Sequence, residues 1–174
     1  MIIGFTGEIG VGKTSVADCL VKEKAFIKLS FATPIKRALV EFTGLDMKWF
    51  TDPVLKETEI EGLPKITPRL MAQLLGTEYA RNLIFHDFFC WRIGQSFAAN
   101  EGMDIVVDDV RFENEADFIR EKGRKIVRLL RVFESQTKGN NHSSENGITL
   151  KKGEIEVLCM NTPGKTAEYI LTFL

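Results

Sequence analysis

The stretch Gly7-Glu8-Ile9-Gly10-Val11-Gly12-Lys13-Thr14 decides the fold of this chain of 174 residues. It reads as a glycine, four further residues and then Gly-Lys-Thr, between an apolar run at residues 2–6 and a helical pattern at residues 15–22. A glycine loop between a strand and a helix is typical of a phosphate-binding loop, because its backbone N–H groups and the positive end of the helix attract an anion. The sequence therefore predicts a binding site for a nucleoside triphosphate.

The motif assigns a role to its polar side chains. Lys13 is expected to reach the β- and γ-phosphates of the nucleotide, and the hydroxyl of Thr14 is expected to hold Mg²⁺. The predicted nucleotide contacts are Gly10, Val11, Gly12, Lys13, Thr14 and Ser15. An ordinary glycine-rich turn is the alternative interpretation, and the presence of both the full motif and its strand–helix context weighs against it.

The composition is ordinary for a soluble globular protein, with 44% hydrophobic and 27% charged residues and a net charge of -1. This balance creates no global basic field, so neither nucleic acid nor a membrane is expected as a partner. Three widely spaced cysteines and two isolated histidines form no zinc or disulfide pattern, which favours a reducing cytoplasm (that of the host if the protein is viral). The apolar run at residues 2–6 is too short for a signal peptide or a membrane span.

Short apolar strands alternate with amphipathic helices along the chain, which predicts an α/β fold built on a parallel sheet. We expect a single domain over residues 1–174, with three layers and about five strands flanked by helices. The strands are predicted at residues 2–6, 26–31, 104–109, 125–131 and 155–160. The helices are predicted at residues 15–22, 35–42, from 67 onward, 85–99, 113–122 and 166–174. Residues 45–66 show no clear period and are interpreted as an insertion outside the sheet.

The middle of the chain carries apolar side chains that are expected to pack in a core. Thr67-Pro68-Arg69 is a typical helix start, with Thr as the N-cap and Pro in the first turn. One face of that helix is predicted to be lined by Leu70, Leu74, Leu75 and Tyr79. The residues most simply explained as core packing are Met71, Phe85, Phe88, Phe89 and Trp91, although one aromatic ring could instead stack on an acceptor base.

Two adjacent acids, Asp108 and Asp109, end the apolar strand predicted at residues 104–109. Ligands gather at the carboxyl ends of parallel strands, and an acid at such a position often completes a Mg²⁺ shell or positions a substrate. A surface turn is the plainer explanation for such acids when no phosphate loop is present. With the loop present, at least one of the two is expected to be functional, and spacing does not decide which.

Arginines at helix starts or faces near the predicted strand ends form a second group of candidates. They are Arg37, Arg69, Arg81, Arg92 and Arg111. Phosphoryl transfer between two phosphate-bearing substrates needs several guanidinium groups, because charge is neutralised on the donor, the acceptor and the transferred group. Most arginines of an ordinary chain are solvated surface residues, so only their grouping in motifs favours a functional role.

A polar, turn-rich segment lies at residues 134–147 and carries almost no apolar side chains. Arg131 lies at its entry, and Lys138 and His142 lie within it. A polar loop that closes over phosphates excludes water and so prevents wasteful hydrolysis. A lid over about residues 132–152 and a flexible surface loop both agree with this composition.

Taken together, the motifs resemble the deoxynucleoside monophosphate kinases of bacteriophages and some bacteria. The matching segments follow the glycine loop in the expected order: Ser30-Phe31-Ala32-Thr33-Pro34-Ile35-Lys36, Thr67-Pro68-Arg69, Leu74-Leu75-Gly76-Thr77-Glu78, Arg81, Asp109-Val110-Arg111-Phe112-Glu113-Asn114-Glu115, His142-Ser143-Ser144-Glu145 and the region of Asn161. The resemblance implies a P-loop kinase fold that moves the γ-phosphate of ATP onto a deoxynucleoside monophosphate with Mg²⁺. It also implies an acceptor-binding region at about residues 33–100, and a homodimer remains open.

The resemblance also implies residue roles, which we carry over as expectations. Lys36 and Arg37 would lie on an acceptor-side helix, and Arg131 would act from the lid. Asp109 would lie at the centre of the site and would share the metal with Thr14. The implied catalytic residues are Lys13, Arg69, Arg111 and Arg131. The implied acceptor-binding residues are Lys36, Arg37, Arg69, Arg81, Asp109, Arg111 and Glu145.

Two departures and two alternatives accompany this interpretation. Thr33 stands where family members often have an acid, which leaves the base preference open, and Thr14 stands where many have an aspartate. The animal-type phosphomevalonate kinases share similar acceptor-side motifs, including a segment like residues 87–92. The sequences Gly76-Thr77-Glu78 and Phe112-Glu113-Asn114-Glu115 instead favour the nucleotide enzyme. A nucleotide-binding regulator without turnover is the other alternative, and it would not require paired acids or grouped arginines.

Overall fold

A parallel five-stranded sheet lies at the centre of the computed structural model, which describes residues 1–122, 125–130 and 148–173. Its strands are β1 (Ile2–Thr6), β2 (Ile27–Leu29), β3 (Ile105–Val107), β4 (Lys125–Leu130) and β5 (Ile155–Leu158). Their order is β2-β3-β1-β4-β5, and all neighbouring strands are parallel. The predicted parallel α/β sheet is confirmed, although β2, β3 and β5 are shorter than the apolar runs that predicted them.

The helices of the described chain lie between and after these strands. They are α1 (Lys13–Lys24), α2 (Thr33–Thr43), α3 (Lys48–Thr51), α4 (Pro68–Gln73), α5 (Phe88–Ala99), α6 (Glu113–Glu121) and α7 (Pro163–Leu171), with a 3₁₀ turn at Leu55–Glu57 and a π-helix at Leu74–Ile84. Within the described residues, no helix combines the length and the apolar character that crossing a membrane requires.

The chain divides into two compact units. The first consists of Met1–Phe31 and Arg92–Leu174 and holds the sheet, and the second is Ala32–Trp91. The single domain over 1–174, the acceptor-binding region at about 33–100 and the lid at about 132–152 stay predictions. Residues 131–147, which make up most of that lid, lie outside the described residues.

Strand β1 is buried along its whole length and separates the two helical layers of the first unit. Because side chains alternate along a strand, Ile3 and Phe5 face one layer and Gly4 faces the other. Ile3 and Phe5 are fully buried in a core that also contains side chains of α1 and α7. Burial of a side chain as large as Phe5 contributes about 1.5–3 kcal/mol to folding. On the opposite side, a Cβ on Gly4 would lie 2.8 Å from Cδ1 of Ile119 on α6, so α6 packs directly on the β1 backbone.

The glycine loop leaves β1 at a point where only glycine fits. The backbone of Gly7 has φ = 134°, in the region that residues with a side chain rarely adopt. A Cβ built at Gly7 would also lie 2.4 Å from the carbonyl oxygen of Leu129 in β4. Two independent constraints therefore select glycine here, and the close approach to β4 determines where the loop begins.

A salt-bridge cluster around Arg120 joins α6 to the chain at residues 149–154. Arg120 donates from Nε and Nη2 to the two carboxylate oxygens of Glu154, both at 2.8 Å, and also bonds Asp117 at 2.8 Å. The hydrogen bonds that Arg120 donates to Glu154 raise the pKa of Arg120 above its ordinary value, against the opposing effect of burial. The backbone N–H of Thr149 in turn holds the pKa of Glu113, at the start of α6, below its usual range. These bonds attach the segment after residue 147 to the helix that follows Arg111.

The second unit departs from the predicted helical face at the π-helix. Its Phe85 N–H donates to the Ala80 carbonyl, five residues earlier, at 3.0 Å. A π-helix changes the angular spacing of side chains, so a face calculated from a period of 3.6 residues rotates away from the core. Leu74 is 48% exposed and Tyr79 is 53% exposed, and the buried residues of this helix are Gly76, Ala80 and Arg81. Two of the four residues predicted to share one helical face, Leu74 and Tyr79, are therefore exposed.

The expected aromatic core of the middle segment is correct only in part. Phe89 is buried, whereas Phe85 and Trp91 are exposed, so the prediction of core packing for those two is wrong. Gly76 has a clear packing reason, because a Cβ at this position would lie 2.7 Å from Cδ1 of Ile35 on α2. The small residue permits that close contact within the second unit.

The two constraints on Gly7 lead to a stability prediction with a matched control. Gly102→Ala, at φ = 82° with open space around its Cβ position, should cost about 1 kcal/mol of unfolding free energy from backbone strain alone. Gly7→Ala should cost about 1–3 kcal/mol more, because the new methyl group also overlaps the Leu129 carbonyl. Chemical denaturation of both variants measures the difference, and equal losses would contradict the close contact.

Candidate active site

The glycine loop curves around the start of α1 in a conformation that several glycines make accessible. Gly7, Gly10 and Gly12 all have positive φ, at 134°, 75° and 104°. The N-cap residue of α1 is Gly12, which has no side chain to cap the helix, and the first turn contains no acidic residue. The N-terminal N–H groups of a helix carry partial positive charge, so this geometry suits an anion such as a phosphate.

Lys13 begins α1 and turns back over the loop. Its Nζ donates to the carbonyl oxygens of Gly7 at 2.7 Å and Glu8 at 2.8 Å. Burial, followed by the positive charge of Arg111, lowers the pKa of Lys13 to about 8. The charges of Asp109 and Asp108 act in the opposite direction. Two cations and two acids thus act on one another electrostatically beside the glycine loop.

Sheet topology explains why these groups meet. Strand β3 pairs with β1 in a register that places Val107 opposite Gly4, so the residues after each strand emerge at the same edge of the sheet. Asp108 and Asp109 follow β3, and the glycine loop follows β1. The backbone continues past this edge with Val110, whose N–H donates to the carbonyl of Phe5 at 3.0 Å. Residues about a hundred positions apart are therefore brought together, as the strand-end interpretation predicted.

The two acids have different surroundings. Asp109 accepts the hydroxyl of Ser30 on Oδ2 at 2.7 Å and the N–H of Phe31 on Oδ1 at 2.8 Å, which ties it to the end of β2. Asp108 is buried, and its backbone N–H donates to Leu29 at 3.3 Å. Asp109 therefore has a structural task that the sequence did not indicate. Whether it also serves the metal, as predicted, stays a prediction.

Arg111 is exposed, but its backbone N–H group is bonded to the buried carboxylate of Glu115. The Oε2 of Glu115, on the first turn of α6, accepts the N–H of Arg111 at 2.8 Å and of Phe112 at 3.1 Å. Phe112 is the N-cap residue of α6 and has no side-chain acceptor of its own. Glu115 lies in one of the segments that resemble the kinase family, but the sequence predicted no role for it. A glutamate three residues after an N-cap is the signal that could have identified it.

Cys159 is a further contact of the glycine loop that the sequence did not indicate. Its Sγ donates to the carbonyl of Val11 at 3.2 Å, and its backbone N–H donates to Leu130 at 2.8 Å. The residue directly after β5 thereby joins the strand end to the loop. Its sequence neighbourhood contains no motif that would have marked it.

The predicted acceptor-side cations Lys36, Arg37, Arg69 and Arg81 all lie in the second unit. Arg81 is buried, and its guanidinium carbon lies 4.9 Å from the ring centroid of Phe89, within range of a cation–π interaction. Arg69 on α4 forms a salt bridge with Glu57. Lys36 is half-buried and Arg37 is exposed, both on α2.

The remaining predicted site residues are two residues of α1, one arginine of α5 and three residues that the structure does not describe. Thr14 and Ser15 are exposed on the first turn of α1, as expected for nucleotide contacts. Arg92 belongs to the first unit, where it donates to Ser96 at 3.3 Å. Arg131, His142 and Glu145 lie outside the described residues, so their predicted roles stay predictions.

Comparison with known proteins shows similarity to deoxynucleotide monophosphate kinases. A protein family described as deoxynucleotide monophosphate kinase matches residues 64–163. A protein of Acanthamoeba polyphaga mimivirus, provisionally named a deoxynucleotide monophosphate kinase, is 35% identical over 142 residues, covering 74% of this chain and 73% of its own. The deoxynucleoside-5'-monophosphate kinase of Escherichia phage T5 is 32% identical over 105 residues, covering 56% of this chain but only 42% of its own.

A solved structure also resembles the chain. A provisionally assigned kinase from Chloroflexus aurantiacus J-10-fl aligns with a TM-score of 0.52 at 12% identity, over 98% of this chain and 93% of its own. At this identity the likeness concerns the fold alone. The predicted α/β kinase fold is confirmed by it together with the parallel sheet.

The low pKa of Lys13 leads to a prediction for nucleotide binding. Lys13 is mostly charged at pH 7 and loses its charge as the pH rises through about 8. The Kd for ATP with Mg²⁺ should therefore weaken by up to about tenfold between pH 7 and pH 9. In Arg111→Ala the repulsion is removed, the pKa of Lys13 rises, and the alkaline midpoint of binding should move to higher pH.

Calorimetric titration of ATP across this pH range tests the expectation. Lys22→Met is the control, because it removes a cation from the last turn of the same helix that does not act on Lys13, and its midpoint should equal that of the wild type. A wild-type Kd that does not change with pH, or a midpoint that Arg111→Ala leaves in place, would show that Arg111 does not act on Lys13.

Proposed function

The chain belongs to the deoxynucleotide monophosphate kinase family, and we propose that it transfers the γ-phosphate of ATP to the phosphate of a deoxynucleoside monophosphate, giving the diphosphate and ADP. The observation that carries this proposal is the convergence of Lys13, Arg111 and two acids beside the glycine loop. The positive charge of Arg111 disfavours the charged form of Lys13, and a bound polyphosphate would relieve this repulsion. ATP is the co-substrate of this kinase family.

Donor binding follows from the loop and its lysine. Backbone N–H groups of residues 10–15 and the N-terminus of α1 bind the phosphates, and Lys13 neutralises the β- and γ-phosphate charge. The oxygen donors near this position, the Thr14 hydroxyl and the carboxylates of Asp108 and Asp109, fit the preference of Mg²⁺ for oxygen ligands. When bound, Mg²⁺ neutralises phosphate charge. In our proposal Thr14 holds it together with Asp109 or Asp108.

Transfer itself requires little chemistry from the protein. The attacking oxygen belongs to the acceptor phosphate, which is already ionised at neutral pH, so a general base is scarcely needed. Arg111 neutralises the transferred group, and Arg69 and Arg81 hold the acceptor phosphate in line with it. Lys36 and Arg37 complete the acceptor contacts. Arg131 and Glu145 keep their proposed roles on the transferred group and the acceptor.

The two alternative functions are less well supported. The curated relatives are named for deoxynucleotides and not for phosphomevalonate. A regulator that only binds nucleotide would gain nothing from Arg111, because the glycine loop and Lys13 already suffice for the donor. Phosphoryl transfer, by contrast, uses positive charge on both sides of the transferred group.

A coupled assay of ADP release tests the function directly. ATP is combined with dGMP, dTMP, dAMP, dCMP, modified dCMPs, the ribonucleotides and phosphomevalonate. We expect turnover with at least one deoxynucleotide and a loss of about 10²–10³-fold in kcat for Lys13→Met. Lys22→Met, in the last turn of the same helix, is the matched control and should retain wild-type activity.

Each other outcome of this assay has a distinct meaning. Turnover of phosphomevalonate alone would replace the proposal with the alternative kinase. Tight ATP binding without turnover of any acceptor would favour the regulator. Full activity of Lys13→Met would remove the donor assignment.

Acceptor recognition yields a separate prediction at Arg69. A charge-assisted hydrogen bond to phosphate contributes about 1.5–3 kcal/mol, so Arg69→Gln should raise the KM for the deoxynucleotide by roughly tenfold to a hundredfold. The KM for ATP should stay within about twofold, because uniform loss of acceptor binding leaves donor binding intact. Lys48→Gln, which removes an exposed charge from α3 of the same unit, is the control. A selective rise in the KM for ATP would move Arg69 to the donor side.

A further inference from the structure

Glu115 is a charged residue with only 1% of its surface exposed, next to the proposed site of phosphoryl transfer. Acidic side chains are almost never buried to this extent without a specific partner. The partners found for its Oε2 are two successive backbone N–H groups, those of Arg111 and Phe112. An acid at the third position of α6 also interacts favourably with the positive end of the helix. The carboxylate of Glu115 is therefore buried at the start of α6, where it accepts hydrogen bonds from the backbone.

The effect of these bonds is to fix the backbone around Arg111 from both directions. Before it, Val110 donates to Phe5 in β1, and Asp109 is bound to the end of β2. After it, Phe112 is extended, at φ = -113° and ψ = 148°, and begins α6. Arg111 thus stands on a short backbone segment that is bonded to β1 and to Glu115. These bonds fix the backbone position from which its exposed side chain starts.

We propose that Glu115 is a positioning residue for Arg111: by accepting the N–H groups of Arg111 and Phe112, it sets the direction from which the guanidinium reaches the transferred phosphate. This inference rests on the proposed function. Phosphoryl transfer depends on the alignment of charges with the reacting group, and a displacement of about 1 Å can cost about a hundredfold in rate. The N-cap residue Phe112 offers no side-chain acceptor, and the carboxylate of Glu115 adds a different capping contact by accepting the N–H of Phe112 itself.

A purely structural helix cap is the competing explanation, and the variants separate the two. Glu115→Ala removes both bonds and should lower kcat about a hundredfold, with the KM for ATP little changed. Glu115→Gln keeps an acceptor oxygen and the side-chain volume, so its kcat should stay within about fivefold of the wild type. Ile119→Val destabilises the same helix from a fully buried position without touching Arg111, and its kcat should be unchanged.

A double-mutant cycle gives the decisive comparison, measured with ATP and the acceptor that the wild type phosphorylates fastest. If Glu115 acts through Arg111, then Glu115→Ala should change kcat by less than about threefold when Arg111→Ala is already present. A full hundredfold effect in that background would overturn the inference. So would a kcat for Glu115→Ala, per folded molecule, equal to that of Ile119→Val.

The split between kcat and KM is a further readout. Displacement of the Arg111 guanidinium should lower kcat and leave the KM for ATP within about twofold of the wild-type value, in Glu115→Ala as in Arg111→Ala. A KM for ATP that rises as much as kcat falls in Glu115→Ala would contradict the inference, because it would indicate damage to the glycine loop. Absence of turnover by the wild type would instead contradict the proposed function.

Discussion

The parallel pairing of β1 with β3 is the interaction on which the candidate site depends. It places the carboxyl ends of the two strands side by side, so that the glycine loop after β1 lies beside Asp108 and Asp109 after β3. On its other side β1 pairs with β4, whose Leu129 carbonyl approaches Gly7 so closely that no side chain fits. Both neighbours of β1 thus constrain the same loop. A substitution at the carboxyl end of β3 or β4 would therefore change the geometry of the anion site more than that of the rest of the sheet.

The charges at this edge are balanced in a way that favours a polyphosphate ligand. Lys13 and Arg111 repel each other, and burial adds to the cost of charging Lys13, while Asp108 and Asp109 offset part of it. A bound polyphosphate would supply the negative charge that completes the balance. The acids meanwhile have structural partners, since Asp109 is bonded to Ser30 and Phe31 at the end of β2. Charge balance and the attachment of neighbouring strands are therefore provided by the same residues.

The departure from the predicted helix after residue 67 has a physical cause, which is that spacing along the sequence assumes a regular α-helix and does not show where the backbone forms a π-helix. The helix after residue 67 was expected to carry Leu70, Leu74, Leu75 and Tyr79 on one face, but it continues as a π-helix in which Leu74 and Tyr79 are exposed and Arg81 is buried. The role of Glu115 was missed for a related reason. Its signal depends on an N-cap residue, and Phe112 is not one of the types that normally identify a helix start.

The sequence by itself determined the glycine loop, the strands and helices of the sheet unit, the α/β class and the family. These features are local or depend on ordered motifs, so spacing and periodicity are sufficient to predict them. Only the tertiary structure decided that Asp109 binds the end of β2, that Glu115 holds the backbone of Arg111, and that Cys159 contacts Val11. Each of these depends on which strand ends become neighbours or on the exact course of one turn. Hydrogen bonds between residues as far apart as Val11 and Cys159 form only when the parallel sheet has assembled, so no stretch of sequence contains their signal.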